Sequence, residues 1–217
     1  MSREDILDRI RTGLGRAAGP GASAGPGPPD PPPPRMRIPE VSRESRIGSL
    51  LDRVNALAGR GLRAATCQEA GEMVRTILGG RSAIASNAPV VEDCGILRLP
   101  TVRSGITDRD QLRELCATAD VGITSADYAL ADTGTLVMLS GPTEARMISL
   151  LPPAHIAVVP ADRILSGLDE LFSILTNPAS VTSSMVLITG PSRTADIEQI
   201  LVRGVHGPGE ITVIAIT

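Results

Sequence analysis

Residues 122–159 read GITSADYALADTGTLVMLSGPTEARMISLLPPAHIAVV. Two segments in this stretch are short apolar runs, LVML at 136–139 and HIAVV at 155–159. A run of this length without polar alternation is what a strand buried on both faces requires. Residues 143–151, between the runs, carry apolar positions at helical spacing. The stretch therefore reads as strand, helix, strand, which is the repeating unit of a parallel sheet.

The same alternation extends in both directions. Upstream, residues 41–61 place Ile47, Leu50, Leu51, Val54 and Leu57 on one helical face. Residues 66–78 and 108–119 read as further helices, 82–86, 96–99 and 120–124 as short strands, and 125–131 as a turn or short helix. Downstream, Ile164, Leu165, Leu168, Leu171, Phe172 and Leu175 are in helical phase over 162–175. Residues 184–189 read as a strand, 194–203 as a helix and 211–216 (ITVIAI) as a last strand. Right-handed βαβ crossovers follow, giving an α/β fold with a mostly parallel sheet and flanking helices. Ligands in such sheets bind beyond the carboxyl ends of strands.

Residues 19–34 read GPGASAGPGPPDPPPP, in which twelve of sixteen are Pro or Gly. Missing amide donors and excess backbone entropy exclude regular structure there. The expected organisation is an N-terminal helix at 1–16, a stiff Pro/Gly-rich linker at 17–40 and a single α/β domain at 41–217. The helix has Ile6, Leu7, Ile10 and Leu14 on one face, and Ser2 with Asp5 resembles a capping box.

The chain has 217 residues and a formal net charge of -3. All 21 of its basic residues are arginine, and it has one Tyr and one Phe. A mildly acidic chain with two aromatic rings is poorly suited to neutralise phosphates or stack on bases, so nucleic acid is not an expected partner. The missing lysine excludes Schiff-base chemistry and a P-loop. Cys67, Cys94 and Cys116 are too few for a four-thiolate cluster within one chain and form no disulfide framework. No signal peptide or membrane span is legible, so a soluble cytoplasmic protein is expected.

Three segments carry chemistry. Asp132, Thr133, Gly134 and Thr135 put a carboxylate among hydroxyls beside a glycine. Asp132 could orient or deprotonate a substrate hydroxyl, or the segment could be an Asx turn bonding its own backbone. Gly190, Pro191, Ser192, Arg193, Thr194 and Asp196 follow an expected strand and open an expected helix. That arrangement suits a phosphate or carboxylate, while N-capping by Ser192 or Thr194 is the alternative. His206, Gly207 and Pro208 precede the last strand, and His206 could act as a general base. His155, the other histidine, fits a structural role better. No spacing resembles a metal-ligand motif.

Four blocks in this order resemble the lactate utilization protein C family, the LUD-domain proteins. They are ADTGT (131–135), SLLPPAHI (149–156), GPSRTADIE (190–198) and GVHGP (204–208). The resemblance implies a fold like that of ribose-5-phosphate isomerase, the CoA transferases and formyltetrahydrofolate cyclo-ligase. It also implies a role in oxidising L-lactate to pyruvate beside two partner proteins, at least one with iron–sulfur clusters. This chain resembles the short member without clusters, so no cofactor is expected in it. The alternative is a stand-alone enzyme or sensor for a small anionic metabolite (hydroxy acid, sugar phosphate or acyl-CoA). Its site would lie at the carboxyl edge of the sheet, in a pocket shared by Asp132, Arg193 and His206.

Overall fold

The run ITVIAI lies near one edge of a six-stranded sheet in which every neighbouring pair is parallel. The computed structural model describes residues 3–13, 38–141, 144–195 and 201–217. Strands are numbered in chain order. The main sheet contains β1 (Arg60–Ala64), β2 (Ala83–Ala85), β3 (Val102–Arg103), β4 (Val121–Ser125), β7 (Ala154–Pro160) and β12 (Glu210–Ile216), in the order β1-β12-β7-β4-β2-β3. A smaller sheet holds β5 (Tyr128–Leu130), β6 (Thr135–Leu139), β8 (Ile164–Leu165) and β9 (Met185–Ile188), in the order β8-β5-β6-β9. Strands β10 (Arg193–Ala195) and β11 (Leu201–Arg203) pair with each other in antiparallel fashion.

The two-residue period of the strands sorts the core onto two faces. Val121, Ile123, Ile156, Val158 and Ile214 point to the face covered by α3 (Cys67–Leu78) and α4 (Pro89–Asp93). Ala157, Val159, Val213 and Ala215 point to the other face, beneath α2 (Arg43–Ala56) and the smaller sheet. On that second face Ile84 meets α5 (Arg109–Thr118) and α6 (Arg146–Leu150). The smaller sheet has its own apolar cluster, in which Leu130, Val137 and Leu165 meet Leu171 of α7 (Leu168–Ile174).

Local chemistry explains the helix boundaries. Thr66 accepts the Glu69 N–H at 3.1 Å while the Glu69 carboxylate accepts the Ala65 N–H at 2.7 Å, so both satisfy amides that the helix leaves open. Asp108 starts α5 by accepting from the Gln111 N–H at 2.8 Å. Gly122 allows a close approach of strand and helix: a Cβ there would stand 1.8 Å from the Ile148 carbonyl oxygen of α6.

The N-terminal helix α1 (Arg3–Gly13) belongs to a separate unit, residues 1–35, the remainder forming the other unit. Its Ile6 and Ile10 are exposed and no residue in it is buried. Ser2, Leu14 and most of the Pro/Gly-rich stretch lie outside the described residues. No helix among the described residues is long and apolar enough to cross a membrane.

Several elements differ from the sequence pattern, each for a tertiary reason. Arg193–Ala195 and Leu201–Arg203 are strands, where a helix is expected over 194–203. Thr194 pairs with Val202 and Ala195 with Leu201 across a β-hairpin, while residues 196–200 lie outside the description. The helix expected over 162–175 is halved, because Ile164 and Leu165 are drawn into pairing with Ala129 and Leu130. Residues 96–98 form a 3-10 turn after Gly95, which has a positive φ of 71°, and the strand falls later at β3. The segment 125–131 contains a strand, β5, because it pairs with β6. Strand β1 was hidden by its half-exposed edge position.

Candidate functional site

Strand order locates the ligand-binding edge. From β2 the chain moves outward to β3, then returns to β4 on the other side of β2 and continues through β7 to β12. The connections leaving β2 and β4 therefore diverge. The crevice beyond the carboxyl ends of two such strands is where open α/β sheets hold ligands.

Five polar residues from four connections meet there. Ser86 follows β2, Ser125 ends β4, and Asp127 stands in the turn from β4 into β5. Glu144 comes from the connection between β6 and α6, and Arg163 from the 3-10 turn after β7. The Arg163 Nη1 donates to the Ser125 hydroxyl at 3.3 Å and to the Ala126 carbonyl at 3.4 Å. The Asp127 carboxylate accepts the Leu139 N–H at 2.7 Å. Glu144 exchanges backbone hydrogen bonds with Gly141 at 3.0 and 3.3 Å.

Glu144 is only 8% exposed, and neither carboxyl oxygen has a hydrogen-bond partner. The Ser86 hydroxyl, 1% exposed, is also unpartnered. Burial pushes the Glu144 carboxyl up to about 8. The nearby Ser86 hydroxyl opposes this, the Asp127 charge reinforces it, and Arg163 opposes it. Burial also raises Asp127, against the pull of the Leu139 N–H and Arg163. At neutral pH the edge thus presents a neutral carboxylic acid beside a guanidinium, with a second carboxylate behind it. Carboxyl groups perturbed by burial beside a charged partner are characteristic of functional sites.

The segments singled out in the sequence lie elsewhere. Asp132, Thr133 and Gly134 lie in the turn of the β5–β6 hairpin, and Thr135 opens β6. Gly134 is required there by its φ of 71° and by packing, since a Cβ would stand 2.8 Å from Arg53 Cβ. Asp132 is exposed and borders a hollow with Ser166, Gly167 and Asp169. Thr133 donates to Asp132 at 3.1 Å, Thr135 donates to Thr133 at 2.8 Å, and Thr135 also shares a 2.8 Å bond with Thr189. This hydroxyl chain joins the hairpin turn to the end of β9.

The second and third segments do meet. Ser192 donates its N–H to the Pro208 carbonyl at 2.9 Å and accepts the His206 N–H on its hydroxyl at 3.3 Å. Gly190, Pro191, Ser192, Arg193, His206, Gly207 and Pro208 line one groove of about 410 Å³, floored by Leu57, Val186 and Ile211. This groove lies at the amino end of β12, not at the carboxyl edge expected from a strand-to-helix turn. The reason is that Arg193 and Thr194 enter a strand and do not open a helix. The Arg193 guanidinium instead donates to the Leu57 carbonyl. Asp132 does not border the groove, so the expected Asp132, Arg193 and His206 pocket is not assembled. Asp196 lies outside the described residues.

His155 is in the core, as its strand position suggests. It is 1% exposed and shares a 2.8 Å hydrogen bond with Thr124. Burial holds its pKa at about 4, so the ring is neutral. The sequence reading missed Ser86, Asp127, Glu144 and Arg163. Their one local signal is that each follows within a few residues of a buried strand run.

A parallel α/β sheet with a polar cluster at its topological switch point defines the class of this protein. Residues 47–216 match the LUD domain, and the chain belongs to that family. The lactate utilization protein C of Halalkalibacterium halodurans is 42% identical over 106 residues, 47% of this chain and 46% of that protein. The lactate utilization protein C of Bacillus subtilis is 44% identical over 94 residues, 42% of this chain and 39% of that protein. The matched region spans about half the length of these curated relatives or less. A DUF162 family protein from Deinococcus radiodurans, solved by crystallography at 1.70 Å, shares the fold with a TM-score of 0.62. It is 19% identical, and the match covers 82% of this chain and 99% of that one.

Proposed function

We propose that this chain takes part in lactate utilisation, as a subunit without its own cluster in a system that oxidises L-lactate to pyruvate. The observation that carries this reading is the identity of about 40% to relatives named lactate utilization protein C. The oxidation removes two electrons and two protons from the hydroxy acid, and the reading assigns the electrons to iron–sulfur proteins acting beside this chain. Two features support that division. Cys94 and Cys116 are buried on opposite faces of the main sheet, and burial raises their thiols to about 12 and about 11. Thiols held protonated in this way are poor metal ligands and poor nucleophiles. The carboxyl edge, by contrast, offers a guanidinium and a neutral acid, a combination suited to a small acid substrate.

Growth tests the reading. Deleting the gene should abolish growth on L-lactate as sole carbon source, and the intact gene should restore it. Undiminished growth of the deletion strain, in a background without another lactate dehydrogenase, would overturn the proposal.

A further inference from the structure

The Glu144 carboxyl and the Ser86 hydroxyl are both more than nine-tenths buried and both lack a hydrogen-bond partner. Orphaned buried polar groups are rare in folded proteins, and each costs about 1–3 kcal/mol unless something completes it. Here two stand together at the carboxyl edge of the main sheet, Ser86 after β2 and Glu144 in the connection from β6 to α6, where one ligand can satisfy both. The third component is Arg163, brought to the same edge from the end of β7 and held by Ser125 and Ala126.

We propose that this edge binds a small carboxylate bearing an oxygen on its α-carbon, with Arg163 facing the carboxylate and Glu144 and Ser86 facing the α-oxygen. The proposal deepens the lactate reading and rests on it for the choice of probes. Charge supports it. Asp127 and Arg163 are the charged groups that act on Glu144. Arg146, two residues after Glu144, donates instead to Ser184 at 3.1 Å. With Glu144 neutral, Arg163 and Asp127 cancel and an anion can enter. With Glu144 ionised the cluster carries a net negative charge and repels it. The anion's affinity therefore falls as pH rises through the titration of Glu144, and binding at or above that pH takes up a proton. In the bound state the neutral Glu144 donates to the α-oxygen of a keto acid. It donates likewise to the hydroxyl oxygen of a hydroxy acid.

Calorimetric titration of the full chain with L-lactate, pyruvate and propionate tests the assignment. L-lactate and pyruvate should bind, and propionate, which lacks the α-oxygen, should bind at least about tenfold more weakly because Glu144 and Ser86 stay unpaired. Arg163→Met should weaken binding by at least about tenfold through loss of the charged contact. In Glu144→Gln the decline in affinity between pH 7 and pH 9 should vanish. Circular dichroism establishes that each variant is folded. If Arg163→Met is not, Ser86→Ala replaces it and should weaken L-lactate more than propionate. Absence of binding by all three probes overturns the proposal, as does equal binding of propionate. L-lactate binding that both variants leave unchanged removes this site while sparing the lactate reading. Pyruvate binding without L-lactate binding, sensitive to both variants, keeps the site and displaces the lactate reading.

Discussion

The His155 imidazole and the Thr124 hydroxyl share a 2.8 Å hydrogen bond between neighbouring parallel strands, where the histidine is 1% exposed. The other ring nitrogen has no partner, so a second proton would be buried uncompensated. Burial accordingly lowers the pKa of His155 from 6.5 to about 4. Between those values the unfolded chain binds more protons than the folded one. The contribution of His155 is therefore complete above pH 6.5 and lost as pH falls toward 4. Relative to the wild type, His155→Gln should gain on the order of 3 kcal/mol of stability as pH falls from 6.5 to 4. Urea midpoints measured from pH 7 to pH 4 check this.

Glu144 has the opposite sign. Its folded-state pKa of about 8 exceeds the ordinary 4.5, so the folded chain holds the extra proton between them. Stability is lost as pH rises from 4.5 to 8, and above 8 the full penalty of a buried carboxylate remains. Glu144→Gln should flatten this slope and raise the urea midpoint at pH 9. The two slopes oppose each other between pH 4.5 and 6.5, so the wild-type profile is flatter there than that of either variant.

Gly122 determines how closely α6 approaches β4. An added methyl would stand 1.8 Å from the Ile148 carbonyl oxygen and 3.0 Å from the Ile148 carbonyl carbon, both backbone atoms with little room to move. Gly122→Ala should cost about 3 kcal/mol or more. Because α6 follows Glu144 directly, the same change should also disturb the alkaline slope. Thermal unfolding at pH 6 and pH 9 measures both effects.

Two arginines of similar appearance should differ in worth. Arg46 pairs with Glu170 at 2.9 Å, their side chains 20% and 16% exposed, and also donates to the Ile164 carbonyl. It thereby joins α2 to α7 and β8. Arg46→Met should cost about 1–2 kcal/mol, between the surface and buried limits for ion pairs. Arg63 pairs with Glu44 in the open, and Arg63→Met should leave the denaturation midpoint unchanged. Chemical denaturation of the two variants side by side makes the comparison.

Much of the main sheet was legible because burial has a local period. LVML, HIAVV and ITVIAI are uninterrupted apolar runs and became β6, β7 and β12. Yet β6 lies in the smaller sheet, antiparallel to both its neighbours, since an apolar run records burial on both faces and not the direction of its neighbours. The Ile164 to Leu175 periodicity failed for a related reason. Ile164 and Leu165 are buried as a helix would bury them, but by pairing with β5. Residues 194–203 failed because cross-strand pairing of Thr194 with Val202 outweighed weak helical propensity.

By itself the sequence determined the α/β class, the LUD-domain family blocks and the structural character of His155. Each follows from patterns confined to one segment or from motif order. Tertiary structure alone decided where the chemistry sits. It placed Arg193 and His206 at the amino end of β12 and gathered Ser86, Asp127, Glu144 and Arg163 at the switch point. The physical reason is desolvation. The acidity of Glu144 depends on atoms contributed by residues 86 to 163 through four separate connections, and no local pattern in the chain records which strand ends will close over a carboxyl group.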